Sequence, residues 1–177
     1  MGSLRAGSYN RAALRAAHEL LPEGMTLEDF DLTPLPPYSA DTDSAGTPAP
    51  VRAFKARIAA ADAVLIVTPE YNGSIPGVLK NALDWASRPV QGCPLDGKPL
   101  AMMGATPGAL GTARAQGHLR QVCAATNVHP LNRPGVYISE AARKFDDGGR
   151  LVDEQTRERI AGLLAALADW ANELVGR

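Results

Sequence analysis

The sequence has few aromatic residues, two cysteines, no long apolar run and almost no net charge. Its 177 residues carry 18 basic and 19 acidic side chains, which leave a net charge of −1, and the basic residues form no block. A nucleic-acid-binding surface needs clustered positive charge, so a nucleic-acid partner is not expected. Aromatic residues make up 5% of the chain, too few to indicate a stacking platform for single strands. The apolar runs are too short to span a bilayer, so no membrane partner is expected either.

The two cysteines, Cys93 and Cys123, lie far apart and form no C-x-x-C or metal-ligand spacing. Free thiols are typical of a reducing compartment, and no charged-plus-apolar signal peptide opens the chain, so we expect a cytoplasmic protein. The histidines show no metal-ligand spacing. A length of 177 residues favours a single domain over residues 1–177, with a sizeable core.

The clearest feature of the chain is an apolar, β-branched run over 64–67 that stops at Thr68-Pro69. The run predicts a buried parallel strand, and the Pro-, Gly-, Asn- and Ser-rich residues after it predict a loop that feeds a helix over 75–86. In open α/β sheets such strand-end loops bind ligands. Tyr71 offers a ring for stacking, and Asn72, Ser74 and backbone N–H groups can contact a flat heterocycle. The same residues are also typical of a plain turn between strand and helix, so both interpretations stay open.

Two further loops share this character. The first, from Ser3 to Asn10, is small, rich in hydroxyl groups and followed by a helix, and the free N–H groups at a helix N-terminus suit a phosphate. The alternative is an ordinary helix N-cap with Arg5 exposed. The second, from Thr106 to Gly111, follows a predicted strand over 99–105. Neither loop is a Walker loop or a G-x-G-x-x-G motif, which disfavours nucleoside triphosphates and classical dinucleotide binding.

The remaining chain alternates between strand and helix patterns. Strands are predicted over 25–31 and 127–131, and helices are predicted over about 51–61, over 154–175 and after Gly111. A long loop is predicted over 33–50. The short apolar run over 136–138 could be of either type, and its assignment stays open. This alternation predicts a doubly wound parallel sheet, with the three loops at one edge. One phosphate-suited loop beside two heterocycle-suited loops indicates a mononucleotide, which in the flavodoxin-like arrangement is FMN.

Three sets of residues resemble the NADPH-dependent FMN reductase family, which is flavodoxin-like and includes bacterial chromate and quinone reductases. They are Gly2-Ser3-Leu4-Arg5 with Ser8 and Asn10; Pro69-Glu70-Tyr71-Asn72 with Ser74, Pro76-Gly77, Leu79-Lys80-Asn81-Ala82 and Asp84-Trp85; and Gly108 to Gly111 with Ala113-Arg114-Ala115-Gln116 and His118-Leu119-Arg120. The resemblance covers nearly the whole chain and implies a three-layer α/β/α fold.

The resemblance also implies a role for each matched residue. The FMN phosphate is expected to be held by Ser3, Arg5, Ser8 and Asn10. The isoalloxazine is expected to be lined, largely through backbone groups, by Pro69, Glu70, Tyr71 and Asn72. The far side of the isoalloxazine is expected to be closed by Thr106 and Gly108. No side chain is expected to act as a catalytic residue, because the flavin carries the chemistry.

The implied activity is hydride transfer from NADPH or NADH to FMN, followed by ping-pong transfer to quinones, free flavin, chromate or azo compounds. The preference between the two donors stays open, because Arg114 and Arg120 are either 2′-phosphate contacts or solvated helix residues. The alternative from another class is a non-catalytic flavodoxin-like electron carrier or a flavin-binding regulatory module. The near-neutral charge favours the enzyme, since carriers of this fold tend to be strongly acidic.

The resemblance implies a homodimer or a dimer of dimers that pairs the helices after the second and third loops. The wide apolar stripe over 79–86 also predicts an interface, with Trp85 near the contact. One departure concerns the sheet, because the flavodoxin order places a strand before the first loop and Met1 stands where that strand would end. We therefore expect the first strand to be missing from this sequence, with an upstream apolar stretch or another segment filling the gap.

Overall fold

The computed structural model describes residues 1–3, 5 and 7–175, without the side chain of Val175. The helices are α1 (Tyr9–Glu19), α2 (Ala40–Ala45), α3 (Ala49–Ala60), α4 (Gly77–Ala86), α5 (Ala113–Ala125) and α6 (Glu154–Val175), with a 3₁₀ turn at Ala141–Arg143. The strands are β1 (Val64–Val67), β2 (Pro99–Ala105), β3 (His129–Pro130) and β4 (Val136–Ile138). No helix in this part of the chain combines the length and the apolar character needed to cross a membrane.

The strands form a parallel sheet centred on β2. β1 pairs with β2 from Val64 opposite Leu100 to Val67 opposite Met103. β3 pairs with Leu100 and β4 with Met103, so these short strands follow one another along the edge of β2 that lies opposite β1. Every residue of β2 is buried, as expected for the centre of a parallel sheet.

Helices cover both faces of the sheet. Because successive side chains of a strand point to opposite faces, Leu100 and Met102 pack in a core with α3, α4 and α5, whereas Ala101 and Met103 pack in a second core with α1 and α6. The predicted doubly wound, three-layer α/β/α architecture is therefore confirmed. The stretch predicted as a long loop over 33–50 contains the short helix α2.

The other edge of β1 faces a groove of about 740 Å³ instead of a strand. The segment 25–31 lines this groove but forms no ladder, so the prediction of a strand there is wrong. A strand exists only with a hydrogen-bonded neighbour, and among the described residues this edge of β1 has a single rung, from the Gly2 N–H to the Val67 carbonyl at 2.9 Å.

The groove leaves apolar side chains incompletely covered. Val64 and Leu65 of this edge strand are partly exposed, and Leu14, Met25 and Leu27 are partly buried around the same space. Among the residues that the structure describes, the sheet is thus open at this edge of β1.

Candidate functional site

Three loops meet at the carboxyl edge of the sheet, and we name them L1 (residues 3–10), L2 (residues 69–74) and L3 (residues 106–111). L2 follows β1 and L3 follows β2. L1 reaches the end of β1 through the Gly2 N–H bond to Val67 and the end of β2 through the side chain of Asn10. The predicted gathering of the three loops at one sheet edge is therefore present.

L1 presents hydroxyl and cationic groups at the start of α1. Ser3 and Ser8 are buried, and the Ser8 hydroxyl caps α1 by accepting the Asn10 N–H at 3.2 Å. Arg5 is exposed, and its guanidinium donates to the Gly7 carbonyl at 2.9 Å. The first turn of α1 contains no acidic residue, so nothing there opposes the positive end of the helix dipole.

The side chain of Asn10 is engaged with the sheet. Its Nδ2 donates to the Ala105 carbonyl at 2.8 Å, and its Oδ1 accepts the Ala105 N–H at 2.8 Å. The backbone N–H and carbonyl of Ala105 point toward the β1 side of β2, but β1 ends at Val67, opposite Met103. The Asn10 amide therefore takes the place of a β1 residue and continues the hydrogen-bond ladder. Asn10 therefore ties L1 to the end of β2, and its amide is already hydrogen-bonded within the protein.

L2 is a tight turn with an exposed aromatic ring. Tyr71 and Ser74 exchange two backbone hydrogen bonds of 3.0 Å each. Between them Asn72 and Gly73 have φ values of +51° and +75°, the positive values that a type I′ turn requires. The Asn-Gly pair is the sequence signal for this turn. Tyr71 is 51% exposed at the tip, and Pro69 at the base is buried.

Glu70 extends from L2 to the start of α5. Its Oε2 accepts the N–H groups of Arg114 at 3.0 Å and Ala115 at 3.2 Å, and its Oε1 accepts Arg114 Nε at 2.7 Å. Burial of this carboxyl disfavours its charged form, but the bonds from Ala115 and Arg114 outweigh that effect and hold the pKa of Glu70 below its usual value.

L3 is held by its own threonine and by the segment after β4. The Thr106 hydroxyl accepts the Gly108 N–H at 3.3 Å, and the Thr106 N–H donates to the Ile138 carbonyl at 3.0 Å. The Gly108 carbonyl accepts the Glu140 N–H at 3.0 Å. Gly108 is exposed and Thr106 is partly exposed, so both predicted residues stand at the surface of the loop cluster.

Gly104 is a functional position that the sequence analysis missed. A Cβ on this residue would lie 2.2 Å from the Thr68 carbonyl oxygen and 2.3 Å from Thr112 Oγ1. Only glycine lets the ends of β1 and β2 and the start of α5 approach so closely, which brings L2 and L3 together. A glycine within a strand pattern is the signal for such a close approach.

Two interactions of α5 were also missed. His118 Nδ1 lies 2.9 Å from the Ser74 hydroxyl, which gives L2 and α5 a second contact. Arg120 donates to the Leu131 carbonyl and to Asn132 Oδ1, each at 3.0 Å. Arg114 is bound by Glu70 and is 62% exposed. The choice for both arginines between a 2′-phosphate contact and a surface helix residue stays a prediction.

The donor set of this edge fits a flavin mononucleotide. L1 combines two hydroxyl groups, one guanidinium and the N-terminus of an 11-residue helix, which is the chemistry that binds a phosphate. L2 and L3 offer an exposed ring and exposed backbone on the neighbouring strand ends, which suits a flat heterocycle. Fold and site together define a nucleotide-binding protein of the flavodoxin-like class.

Comparison with known proteins gives the family. Residues 1–143 match the family model of the NADPH-dependent FMN reductases. The chain is 53% identical over 175 residues to an NAD(P)H-dependent FMN reductase of Pseudomonas aeruginosa, covering 99% of this chain and 94% of that protein. It is 46% identical over 173 residues to a 2-hydroxy-1,4-benzoquinone reductase of a Burkholderia species, covering 98% of this chain and 94% of that one. The chain belongs to the NADPH-dependent FMN reductase family, an oxidoreductase family that depends on FMN and NAD(P)H.

A solved structure agrees with this assignment. FerB, a flavoenzyme NAD(P)H:(acceptor) oxidoreductase from Paracoccus denitrificans, superimposes with a TM-score of 0.89 at 35% sequence identity. The match covers 97% of this chain and 94% of FerB. The predicted family and the predicted flavodoxin-like fold are both confirmed.

Proposed function

We propose that this protein is an FMN-dependent NAD(P)H oxidoreductase that passes electrons by ping-pong hydride transfer to quinones, free flavin and similar small acceptors, chromate and azo compounds included. The observation that carries the proposal is the phosphate-type donor set of L1, placed beside the exposed backbone of L2 and L3. Relatives named for FMN reduction and for quinone reduction support the acceptor class.

Bound FMN supplies the redox chemistry, since it accepts a hydride and returns its electrons to a second substrate. The chain's own residues bind and orient. In this proposal Ser3, Ser8 and Arg5 bind the phosphate. Asn10, which the family resemblance also assigns to the phosphate, instead holds L1 against β2, because both polar groups of its amide are hydrogen-bonded to Ala105. The backbone of L2, with Tyr71 at its tip, and Thr106 and Gly108 of L3 flank the ring.

A non-catalytic electron carrier is the weaker alternative. Carriers of this fold tend to be strongly acidic, and this chain has 18 basic against 19 acidic residues. A reducing, cytoplasmic setting belongs to the proposal, because Cys93 and Cys123 are both free and buried.

The first prediction is that the protein binds FMN and turns over. Protein stripped of flavin and titrated with FMN should become yellow and melt at a higher temperature, because a ligand that binds only the folded state stabilises it. NADPH or NADH should then bleach the colour without air, and a benzoquinone should restore it. If saturating FMN leaves absorbance and melting temperature unchanged, the proposed function fails.

Riboflavin and the variant Arg5→Ala provide the matched comparison. Arg5 is the positive side chain of L1 in the described structure, so its loss should weaken FMN binding by about 1.5–3 kcal/mol, roughly 10- to 100-fold. Riboflavin lacks the phosphate, and its affinity should not change. Equal effects on both ligands would contradict the assignment of L1 to the phosphate.

We also propose a homodimer or a dimer of dimers, on revised grounds. The predicted role of Trp85 is wrong, because this side chain is 0% exposed and its Nε1 donates to the Pro36 carbonyl at 2.7 Å. The apolar stripe of α4 is used by the chain's own core. A groove of about 870 Å³ between α4 and α5 is instead lined by Val90, which is 72% exposed, and by the partly buried Val122, and this surface supports the proposal.

The second prediction concerns this groove. Light scattering at micromolar concentration should give at least twice the 18.6 kDa mass of one chain. Val90→Glu should lower that mass, because a charge that replaces an exposed apolar side chain must be desolvated when a second copy covers the groove. Val152→Glu, at an exposed valine that does not line the groove, is the matched control and should leave the mass unchanged. A monomeric parent protein would overturn the proposed assembly.

A further inference from the structure

The carboxylate of Glu70 joins two segments of the proposed FMN site. Glu70 belongs to L2, and all three of its hydrogen bonds go to the first residues of α5, which follow L3 directly. Its side chain is 7% exposed, whereas that of Arg114 is 62% exposed. The carboxylate therefore faces α5 and is largely withdrawn from solvent.

The start of α5 has no cap of its own. Its N-cap residue, Thr112, lies in the left-handed region at φ +67°, and its side chain accepts no backbone N–H of the helix. The Thr112 hydroxyl instead accepts the side-chain amide of Gln116 at 3.1 Å. The first turn of α5 contains no acidic residue. The first N–H groups of a helix need acceptors and favour negative charge, and Glu70 supplies both from another loop.

This bridge limits the separation of L2 and L3. Glu70 follows β1 by three positions, and Arg114 follows the end of L3 by three positions. His118 and Ser74 form the second contact between the same two segments at 2.9 Å. The start of α5 can therefore move relative to L2 only if charge-assisted bonds break, and these are among the stronger hydrogen bonds in proteins.

The space between L2 and L3 that would receive the flavin ring is called the slot here. We propose that Glu70 is a positioning residue, whose side chain sets the width of this slot and does not itself contact the ring. This inference rests on the proposed function. It assigns the side chain of Glu70 a role different from that of L1, because the slot takes the ring and L1 takes the phosphate. Loss of the carboxylate should therefore weaken the binding of every ligand that carries the ring.

The test compares FMN with riboflavin in Glu70→Gln, a nearly isosteric change that removes the charge and places an N–H group against donors. Both ligands should bind about 5- to 20-fold more weakly, with the ratio of their affinities unchanged. Arg5→Ala should change that ratio, so the two variants separate the ring from the phosphate. The absorption spectrum of bound flavin should also shift, because the ring environment changes.

Two further variants complete the test. Glu19→Gln is the matched control, because Glu19 pairs with Arg157 at 2.9 Å away from the three loops and should leave both affinities unchanged. Arg114→Ala keeps the backbone donors of α5 and should weaken the binding of both FMN and riboflavin about 2- to 5-fold. This variant still tests the inference if Glu70→Gln does not fold. Unchanged riboflavin binding in both Glu70→Gln and Arg114→Ala, or a loss confined to FMN, would overturn the inference. Failure of the parent protein to bind FMN would instead reject the proposed function.

Discussion

A five-residue apolar segment engineered ahead of Met1 is expected to raise the melting temperature of the protein by about 6–12 °C. The groove beside β1 is lined by partly covered apolar side chains, and a strand placed there gains both their burial and backbone hydrogen bonds. Burial of about five apolar side chains, less the entropy of ordering the segment, leaves roughly 3 kcal/mol. For a chain of this size each kcal/mol corresponds to about 2–4 °C.

The register of β1 gives this prediction a site-specific measurement. Val67 lies opposite Met103, and the Thr68 N–H bonds to the Met103 carbonyl, so the backbone groups of Thr68 face β2. The backbone groups of successive residues in a strand point to opposite sides, and Leu65 is three positions from Thr68. The backbone groups of Leu65 therefore point into the groove. Among the described residues the Leu65 N–H has no hydrogen-bond partner. Hydrogen exchange at Leu65 should slow markedly when the segment pairs with β1.

A glycine–serine segment of the same length is the control for the added residues. It provides backbone groups but no apolar side chains, and its ordering entropy is larger, so it should leave the melting temperature within about 2 °C. If the apolar and the glycine–serine segments give equal melting temperatures and equal Leu65 exchange, the groove does not accept a strand.

The same groove shows where sequence patterns predict the fold and where they do not. The run at Val64–Val67 and the long final helix were predictable because their side chains are apolar at the spacing of a buried element. The pattern over 25–31 also alternates, yet no strand forms. A segment forms a strand only when a neighbouring strand hydrogen-bonds to it, and the sequence of the segment alone does not show whether such a neighbour is present.

The candidate site shows a related limit. The three loops were predictable because L2 and L3 are polar, glycine-bearing segments that follow strand patterns, and L1 is a small, hydroxyl-rich segment that precedes a helix pattern. The roles of single side chains were not, because Glu70 acts on α5 across 44 positions and Asn10 acts on β2 across 95 positions. Helix-cap chemistry is visible in a sequence when the cap is local, as for Ser8, and hidden when the acceptor comes from another loop.

Asn10→Ala is expected to destabilise the protein by about 2–4 kcal/mol. The substitution leaves the N–H and the carbonyl of Ala105 without partners, and Ala105 is 3% exposed, so water does not readily replace the lost bonds. An unsatisfied buried polar group costs roughly 1–3 kcal/mol. Denaturant unfolding of the flavin-free protein measures this cost, and FMN titration should also show weaker binding, because L1 loses its attachment to β2.

Two neighbouring variants test whether the amide of Asn10 is the cause. Ser8→Ala removes the cap of the same helix and should cost only about 1 kcal/mol. Asn10→Asp keeps an acceptor for the Ala105 N–H but sets a charged oxygen, in place of a donor, against the Ala105 carbonyl, so it should be at least as destabilising as Asn10→Ala. If Asn10→Ala costs no more than Ser8→Ala, or if Asn10→Asp retains the parent stability, the paired bonds to Ala105 do not hold L1 against the sheet.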